Sequence, residues 1–105
     1  MFVCFCYNLV PPQFIKVPGR AIAILEGSIA TVDCQAFGFP PPVIRWSKAF
    51  SQLPRGRSMV INGTLKITRF SLQDTGSYQC KAANKLGSGT TTTALHFQKP
   101  PGKKL

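Results

Sequence analysis

The stretch Asp74-Thr75-Gly76-Ser77-Tyr78-Gln79-Cys80 is the most informative part of this sequence, and two upstream residues, Cys34 and Trp46, complete the pattern. The stretch and the two upstream residues each lie in a short segment whose side chains alternate as they do in a half-buried β-strand. In residues 29–36, one face carries small and apolar side chains, namely Ala30, Val32, Cys34 and Ala36. In residues 43–48, Ile44 and Trp46 share the opposite face from Arg45. The alternation therefore places Cys34 and Trp46 in the interior.

Short strands separated by turns account for the rest of the folded part. Nine glycines and nine prolines without a repeat period lie between short apolar runs, which favours antiparallel strands over long helices. The dipeptide Asn62-Gly63 accepts the positive φ angles of a two-residue turn, so it predicts a hairpin whose second strand turns Leu65 inward. We predict strands over residues 14–17, 21–25, 29–36, 43–48, 58–61, 64–68, 77–84 and 90–97.

From Pro11 to Gln98, these motifs resemble the immunoglobulin superfamily, specifically its intermediate set, or I-set. The resemblance implies an all-β, two-sheet antiparallel Greek-key sandwich with one inter-sheet disulfide between Cys34 and Cys80. The interval between the two cysteines leaves no room for an extra C″ strand, which favours the I-set over the variable type. The resemblance implies structural roles for Trp46, Leu65, Asp74, Gly76 and Tyr78, with Arg57 or Arg55 as the ion-pair partner of Asp74.

Two runs, Gly38-Phe39-Pro40-Pro41-Pro42-Val43-Ile44-Arg45-Trp46 and Asn84-Lys85-Leu86-Gly87, are similar to runs in modules of matrix and adhesion proteins such as peroxidasin and hemicentin. This similarity implies an extracellular adhesion or matrix-recognition module, one bead of a tandem array that binds a protein ligand, neighbouring immunoglobulin-like domains or a sulfated glycan such as heparan sulfate. The alternative is an intracellular structural module of a muscle or cytoskeletal scaffold, in which both cysteines stay reduced.

Two features favour an extracellular location, either as a secreted protein or as the ectodomain of a larger one. A disulfide between Cys34 and Cys80 needs an oxidising environment. Asn62-Gly63-Thr64 is an N-glycosylation acceptor on a predicted exposed turn, so Asn62 is a candidate glycosylation site. The same three residues are also fully explained as a hairpin turn.

The two ends differ in composition from the sandwich. Residues 1–10 form a predicted non-domain segment, either a weak signal segment or translated intron sequence, because its residues have T-rich codons. Residues 11–98 form the domain, and residues 99–105 a basic Pro/Lys tail or linker. Pro11-Pro12 and Pro100-Pro101 are expected to be semi-rigid connectors. Cys4 and Cys6 receive no role, because a zinc site that combined them with Cys34 and Cys80 would remove the predicted disulfide.

The sequence predicts neither an enzyme nor a metal or cofactor site. His96 is the one histidine, and no serine, carboxylate or cysteine near it has the context of a catalytic triad. The three acidic residues, Glu26, Asp33 and Asp74, are too scattered for paired carboxylate chemistry. No apolar run approaches the roughly 18 residues that span a bilayer, so membrane insertion by this domain is not expected.

The positive charge is the one feature that the fold does not require. Thirteen Lys and Arg residues against three acids give a formal net charge of +10, which attracts polyanions. Strand alternation turns Arg45 and Lys81 outward on neighbouring strands. Lys48 and Arg55 come from the adjoining edge of the predicted sandwich. We predict that these four residues form a polyanion-binding face. The alternative is a solvated surface whose charge is balanced by neighbouring modules.

Nucleic acid is not an expected partner, because the sequence predicts no recognition helix or base-stacking platform.

Overall fold

In a computed structural model, which describes residues 9–101, the chain forms nine β-strands and one short 3₁₀ helix. The 3₁₀ helix, Leu72–Asp74, lies between β7 and β8. The strands are β1 (Val10–Lys16), β2 (Ala21–Leu25), β3 (Ala30–Val32), β4 (Gln35–Phe39), β5 (Val43–Lys48), β6 (Ser58–Ile61), β7 (Thr64–Ile67), β8 (Gly76–Asn84) and β9 (Gly87–Gln98).

The strands form two layers. One layer is a four-stranded sheet in the order β2-β9-β8-β5, in which β2 pairs parallel with β9 and the other neighbours are antiparallel. The other layer contains the three-stranded sheet β3-β7-β6 and the pair β1-β4, and β4 follows β3 directly in the chain. This arrangement confirms the predicted all-β, antiparallel sandwich.

The core lies between the layers, because alternate residues of each strand point inward. Cys34 and Cys80 are fully buried, and their sulfur atoms are joined at 2.02 Å. Trp46 on β5 lies directly opposite Cys80 on β8 and is also buried. The predicted link between the sheets is therefore present. Other buried residues of the same cluster are Val32, Leu65, Ile67, Phe70, Tyr78 and Leu95.

The predicted continuous strand over residues 29–36 is wrong, because the structure divides it into β3 and β4. The two halves have different partners: β3 pairs with β7, whereas β4 pairs with β1. Asp33 lies at the change of partner, where its carboxylate accepts a hydrogen bond from Thr64 of β7 at 2.6 Å and contacts the Lys16 ammonium of β1 at 3.0 Å. The predicted inward direction of Cys34 is kept.

The first strand begins at Val10 and includes Pro11 and Pro12, which we expected in a connector. Proline lacks an N–H group, but β1 is an edge strand with a register shift between Val10 and Gln13. Such positions tolerate proline because they need no donor to the ladder. Residues 1–8 of the predicted segment 1–10, with Cys4 and Cys6, and the tail from residue 102 onward lie outside the described residues.

Candidate binding face

The candidate site is the outward surface of β5, β8 and β9, which we call the outer sheet face. Arg45 of β5 lies directly opposite Lys81 of β8, and Lys81 lies opposite Thr90 of β9. All three side chains are exposed. Residues directly opposite in an antiparallel pair have Cβ atoms about 4.5–5.5 Å apart. The structure therefore brings together two of the four residues predicted to bind polyanions.

No acidic residue balances these two cations on the outer sheet face. Residues 9–101 contain all three acids of the chain: Glu26 lies in the turn after β2, Asp33 lies in the opposite layer, and Asp74 is buried. Like charges directly opposite each other destabilise a strand pair. The Arg45–Lys81 pair therefore opposes folding slightly, and an anion bound between the two side chains would relieve the repulsion.

A row of uncharged polar side chains adjoins the cationic pair. Ser47, Gln79 and Thr92 lie opposite one another, two positions along from Arg45, Lys81 and Thr90. With Ser77 they line a hollow of about 170 Å³. Sequence reasoning did not single out this row, although it has the same strand alternation as Arg45. Its hydroxyl and amide groups can hydrogen-bond to a ligand that the cations hold.

Lys48 does not belong to the outer sheet face, contrary to its predicted place in one basic surface. It is three positions from Arg45 on β5, so the strand period of two turns it to the other side. Its Nζ donates a hydrogen bond to the carbonyl oxygen of Gln73 at 2.9 Å and lies 5.6 Å from the centre of the Tyr78 ring. Arg55, the fourth predicted residue, is exposed in the turn before β6, at the edge of the opposite layer.

Asp74 and Arg57 form a partly buried ion pair. The guanidinium of Arg57 makes two hydrogen bonds of 2.9 Å to the Asp74 carboxylate and a third of 2.8 Å to the carbonyl oxygen of Thr68. The backbone N–H of Ser71 donates to the same carboxylate at 2.9 Å. Arg57 is thus the partner of Asp74 and is engaged within the fold.

This corner also shifts two ionisation equilibria. Burial alone would raise the pKa of Asp74, but the hydrogen bonds from Arg57 and Ser71 hold it below its ordinary value. The Tyr78 hydroxyl donates to the carbonyl oxygen of Asp74 at 2.6 Å. Burial, with a smaller effect of the Asp74 charge, raises the pKa of Tyr78 to about 12. The Asp74-to-Cys80 motif is therefore structural.

The candidate glycosylation site is an exposed turn with an anchored backbone. Asn62 has φ 50° and an exposed side chain, and Gly63 has φ 84°. The Thr64 hydroxyl donates to Asp33, and this bond, followed by the Lys16 contact, holds the pKa of Asp33 below its ordinary value. The Asn62 amide thus faces solvent while the residues after it are fixed.

Two kinds of feature are absent from the part of the chain that the structure describes. Residues 9–101 contain no group of three or more His, Cys, Asp or Glu side chains placed to hold a metal ion. Over the same range, no helix has both the length and the apolar character needed to cross a bilayer.

The chain is similar to single segments of much longer proteins. It is 39% identical to the peroxidasin homolog of Homo sapiens, with 83% of this chain and 6% of that protein aligned. It is 41% identical to the human neural cell adhesion molecule L1-like protein, over 77% of this chain and 7% of that protein. It is 39% identical to the basement membrane-specific heparan sulfate proteoglycan core protein of Mus musculus, over 86% and 2%. The chain therefore spans less than a tenth of these relatives.

The chain is also similar to solved immunoglobulin structures and matches a family model. Sidekick-1 immunoglobulin domains 1-4 superimpose with a TM-score of 0.79 at 32% identity, over 84% of this chain and 24% of that one. A titin M10–obscurin-like 1 immunoglobulin complex gives a TM-score of 0.73 at 30% identity, over 89% and 99%. The model of the immunoglobulin I-set domain matches residues 12–97. The chain therefore belongs to the immunoglobulin I-set domain family.

Proposed function

We propose that this chain is an extracellular adhesion or matrix-recognition module, one of a tandem array, and that its outer sheet face binds a sulfated glycan. The observation that carries the glycan proposal is the direct opposition of Arg45 and Lys81 on a face without an acidic residue. A module of this kind contributes binding and no catalysis. Its protein partners include the neighbouring immunoglobulin-like domains of the array.

The face suits a sulfated sugar better than a lone anion. Two cations side by side can hold one or two sulfate groups, while Ser47, Gln79 and Thr92 offer hydrogen bonds to sugar hydroxyls in the adjoining row. Exposed ionic contacts are screened over about 8 Å at physiological ionic strength, so the affinity should fall steeply with added salt. The net charge of +10 adds a long-range attraction but does not select a site.

Three observations support the extracellular location. The Cys34–Cys80 disulfide belongs in an oxidising compartment. Asn62 presents a glycosylation acceptor in an exposed turn. Two similar proteins carry the words "cell adhesion" and "basement membrane" in their names. Each supports the same location by a different route.

Heparin-affinity chromatography with a charge-matched control tests the site. The variant Arg45→Glu with Lys81→Glu should elute at clearly lower salt than the wild type, with little change in melting temperature because both side chains are exposed. The control, Lys66→Glu with Arg69→Glu, makes the same change in net charge on exposed residues of the opposite layer. Equal losses of retention in the two variants would mean that net charge alone governs binding.

A pair of single variants tests whether Lys48 lies outside the binding face. Lys81→Gln and Lys48→Gln each remove one positive charge, but only Lys81 lies on the outer sheet face. Lys81→Gln should therefore reduce heparin retention more than Lys48→Gln does. The reverse order would move the binding site to the end of the sandwich near Gln73.

The second candidate function is an intracellular structural module, favoured by the similarity to the titin M10–obscurin-like 1 complex. It requires Cys34 and Cys80 to be reduced thiols in the mature protein. Because both cysteines are fully buried, thiol labelling is done on protein isolated without reductant and then unfolded, still without reductant. Unlabelled cysteines support the extracellular module, and labelled cysteines support the scaffold.

A further inference from the structure

Within residues 9–101, the outermost strands of the two layers are β1, β2, β5 and β6, and they differ in their protection against pairing with another chain. Edge strands expose unpaired backbone groups, and proteins usually protect them with prolines, bulges or charged side chains. β1 has two prolines and register shifts, and β5 carries Arg45 and Lys48. β2 lacks a charge, but Leu25 is its one exposed large apolar side chain. β6 has none of these protections.

β6 is a regular and apolar edge. Its four residues pair with β7 without a register shift, and its other side has no strand partner within residues 9–101. Three consecutive apolar side chains are exposed: Met59 at 56%, Val60 at 40% and Ile61 at 50%. Alternate backbone N–H and C=O groups on the open side are therefore free to pair with an added strand.

The surroundings of β6 are positively charged. Lys66 of β7 lies directly opposite Met59 and is exposed, and Arg55 is exposed in the preceding turn. Met59 and Lys66, together with Ile29 and Thr68, help to line a hollow of about 300 Å³ beside the strand. Two of the three acidic residues are already paired with cations: Asp33 with Lys16, and Asp74 with Arg57. Nothing acidic adjoins the open edge.

The charge around β6 favours an acidic partner segment over a second copy of this chain. A second copy of this chain would bring two molecules of net charge +10 together, with Arg55 and Lys66 near the contact. Like charge opposes that association. A segment with acidic side chains gains from the same cations, and an extended segment can also satisfy the free backbone groups.

We propose that β6 is a docking edge for an extended segment of a partner protein whose side chains alternate between apolar and acidic. The segment adds as a strand beside β6, with main-chain hydrogen bonds to the open edge. Its apolar side chains pack on the Val60 side of the strand. Its acidic side chains lie on the side of Met59 and Ile61 and reach towards Lys66 and Arg55.

The test uses a short synthetic peptide of alternating glutamate and valine and protein with unmodified Asn62. Binding is measured by fluorescence anisotropy, and hydrogen exchange of the backbone amides is followed by NMR. We expect salt-sensitive binding and slower exchange of amides in β6. Two further peptides carry N-methyl groups on all glutamates or on all valines, which removes donors from one side of the strand. At least one should bind about tenfold more weakly or worse, because the loss of one or two net hydrogen bonds corresponds to that factor.

Matched protein variants locate the contact. Met59→Glu with Ile61→Glu should weaken peptide binding much more than Leu72→Glu with Leu86→Glu, which makes the same charge change on exposed apolar residues elsewhere. The Arg45→Glu, Lys81→Glu variant should keep peptide binding, so failure of the glycan proposal leaves this one intact. Undetectable peptide binding, equal binding by all three peptides, or exchange protection outside β6 would each overturn the proposal. Self-association of the protein that requires Met59 and Ile61 would overturn it in favour of a second copy.

Discussion

The indole Nε1 of Trp46 donates a hydrogen bond of 2.9 Å to the carbonyl oxygen of Gly63, which joins the largest core side chain to the tight turn between β6 and β7. Gly63 has φ 84°, and a Cβ atom there would collide with the carbonyl oxygen of Cys34. The tryptophan, the turn and the first disulfide cysteine therefore form one packed unit. The Asn62-Gly63 turn is held from the core side, while Asn62 itself faces solvent.

Gly63→Ala should destabilise the domain more than an ordinary glycine substitution does. The left-handed backbone conformation alone costs an L-residue roughly 1–2 kcal/mol, and the collision with Cys34 adds to that cost. Gly56→Ala is the matched control, because Gly56 has φ 75° but no neighbouring atom near the position of a Cβ. Chemical denaturation of both variants isolates the steric part. Equal losses of unfolding free energy would show that the turn is not packed against Cys34.

Strand alternation and the short motifs were sufficient to predict most of this fold. They gave the inward direction of Cys34, Trp46 and Leu65, because a period of two in a half-buried strand leaves little freedom. The family resemblance added an ion pair of Asp74 with Arg57 or Arg55, and the structure shows that Arg57 is the partner. The division of the predicted strand at Asp33 was missed, because it depends on Lys16 and Thr64, which come from strands distant in sequence.

The candidate site was predictable only in part. Alternation placed Arg45 and Lys81 outward on neighbouring strands, but the exact opposition of the two residues depends on the β5–β8 register. Lys48 was misplaced because it was assigned to the edge beside Arg45 without the strand alternation being applied to it. Its ammonium instead contacts the chain at Gln73. The exposed apolar edge of β6 could not be inferred, since a run of three apolar residues looks the same in the sequence whether a neighbour covers it or not.

The disulfide should protect both core cysteines and carry a large share of the stability. Mass mapping without reduction should find Cys34 and Cys80 linked. Replacing either cysteine with alanine should cost roughly 2–5 kcal/mol, because the bond closes a loop of about 47 residues in the unfolded chain. Domains have only about 5–15 kcal/mol of stability, so the variant should accumulate poorly. Quantitative alkylation of both cysteines in native secreted protein would contradict this expectation.

The Arg57–Asp74 pair should make the fold sensitive to acid. The folded-state pKa of Asp74 is lowered, so the carboxylate contributes stability above its unfolded pKa, near 3.8, and that contribution is lost as the pH falls through the folded value. Asp74→Asn should cost roughly 1.5–3 kcal/mol at neutral pH, because it weakens a partly buried, charged hydrogen-bonded pair and leaves Arg57 without a counter-charge. The remaining acid sensitivity should be smaller than in the wild type.

Asp33→Asn is the matched control for this measurement. In the wild type, the pKa of Asp33 is also lowered, but the Asp33 side chain is 37% exposed, against 4% for Asp74. Solvent therefore screens the pair of Asp33 with Lys16. Denaturant titrations at a series of pH values should therefore show a much smaller loss for Asp33→Asn. A wild-type acid profile in Asp74→Asn would contradict the assigned role of the ion pair.

Passage through a secretory pathway should add an N-linked glycan to Asn62, because its acceptor turn is exposed and its amide faces solvent. Thr64→Ser keeps both the acceptor sequence and a hydroxyl that can reach Asp33, so this variant should remain glycosylated. Thr64→Val removes both and should be unmodified and slightly less stable. Glycosidase treatment followed by peptide mass mapping measures occupancy, and the melting temperature measures the Asp33 bond. An unmodified Asn62 in secreted wild-type protein would leave this segment with its structural role alone, as the turn that Trp46 holds.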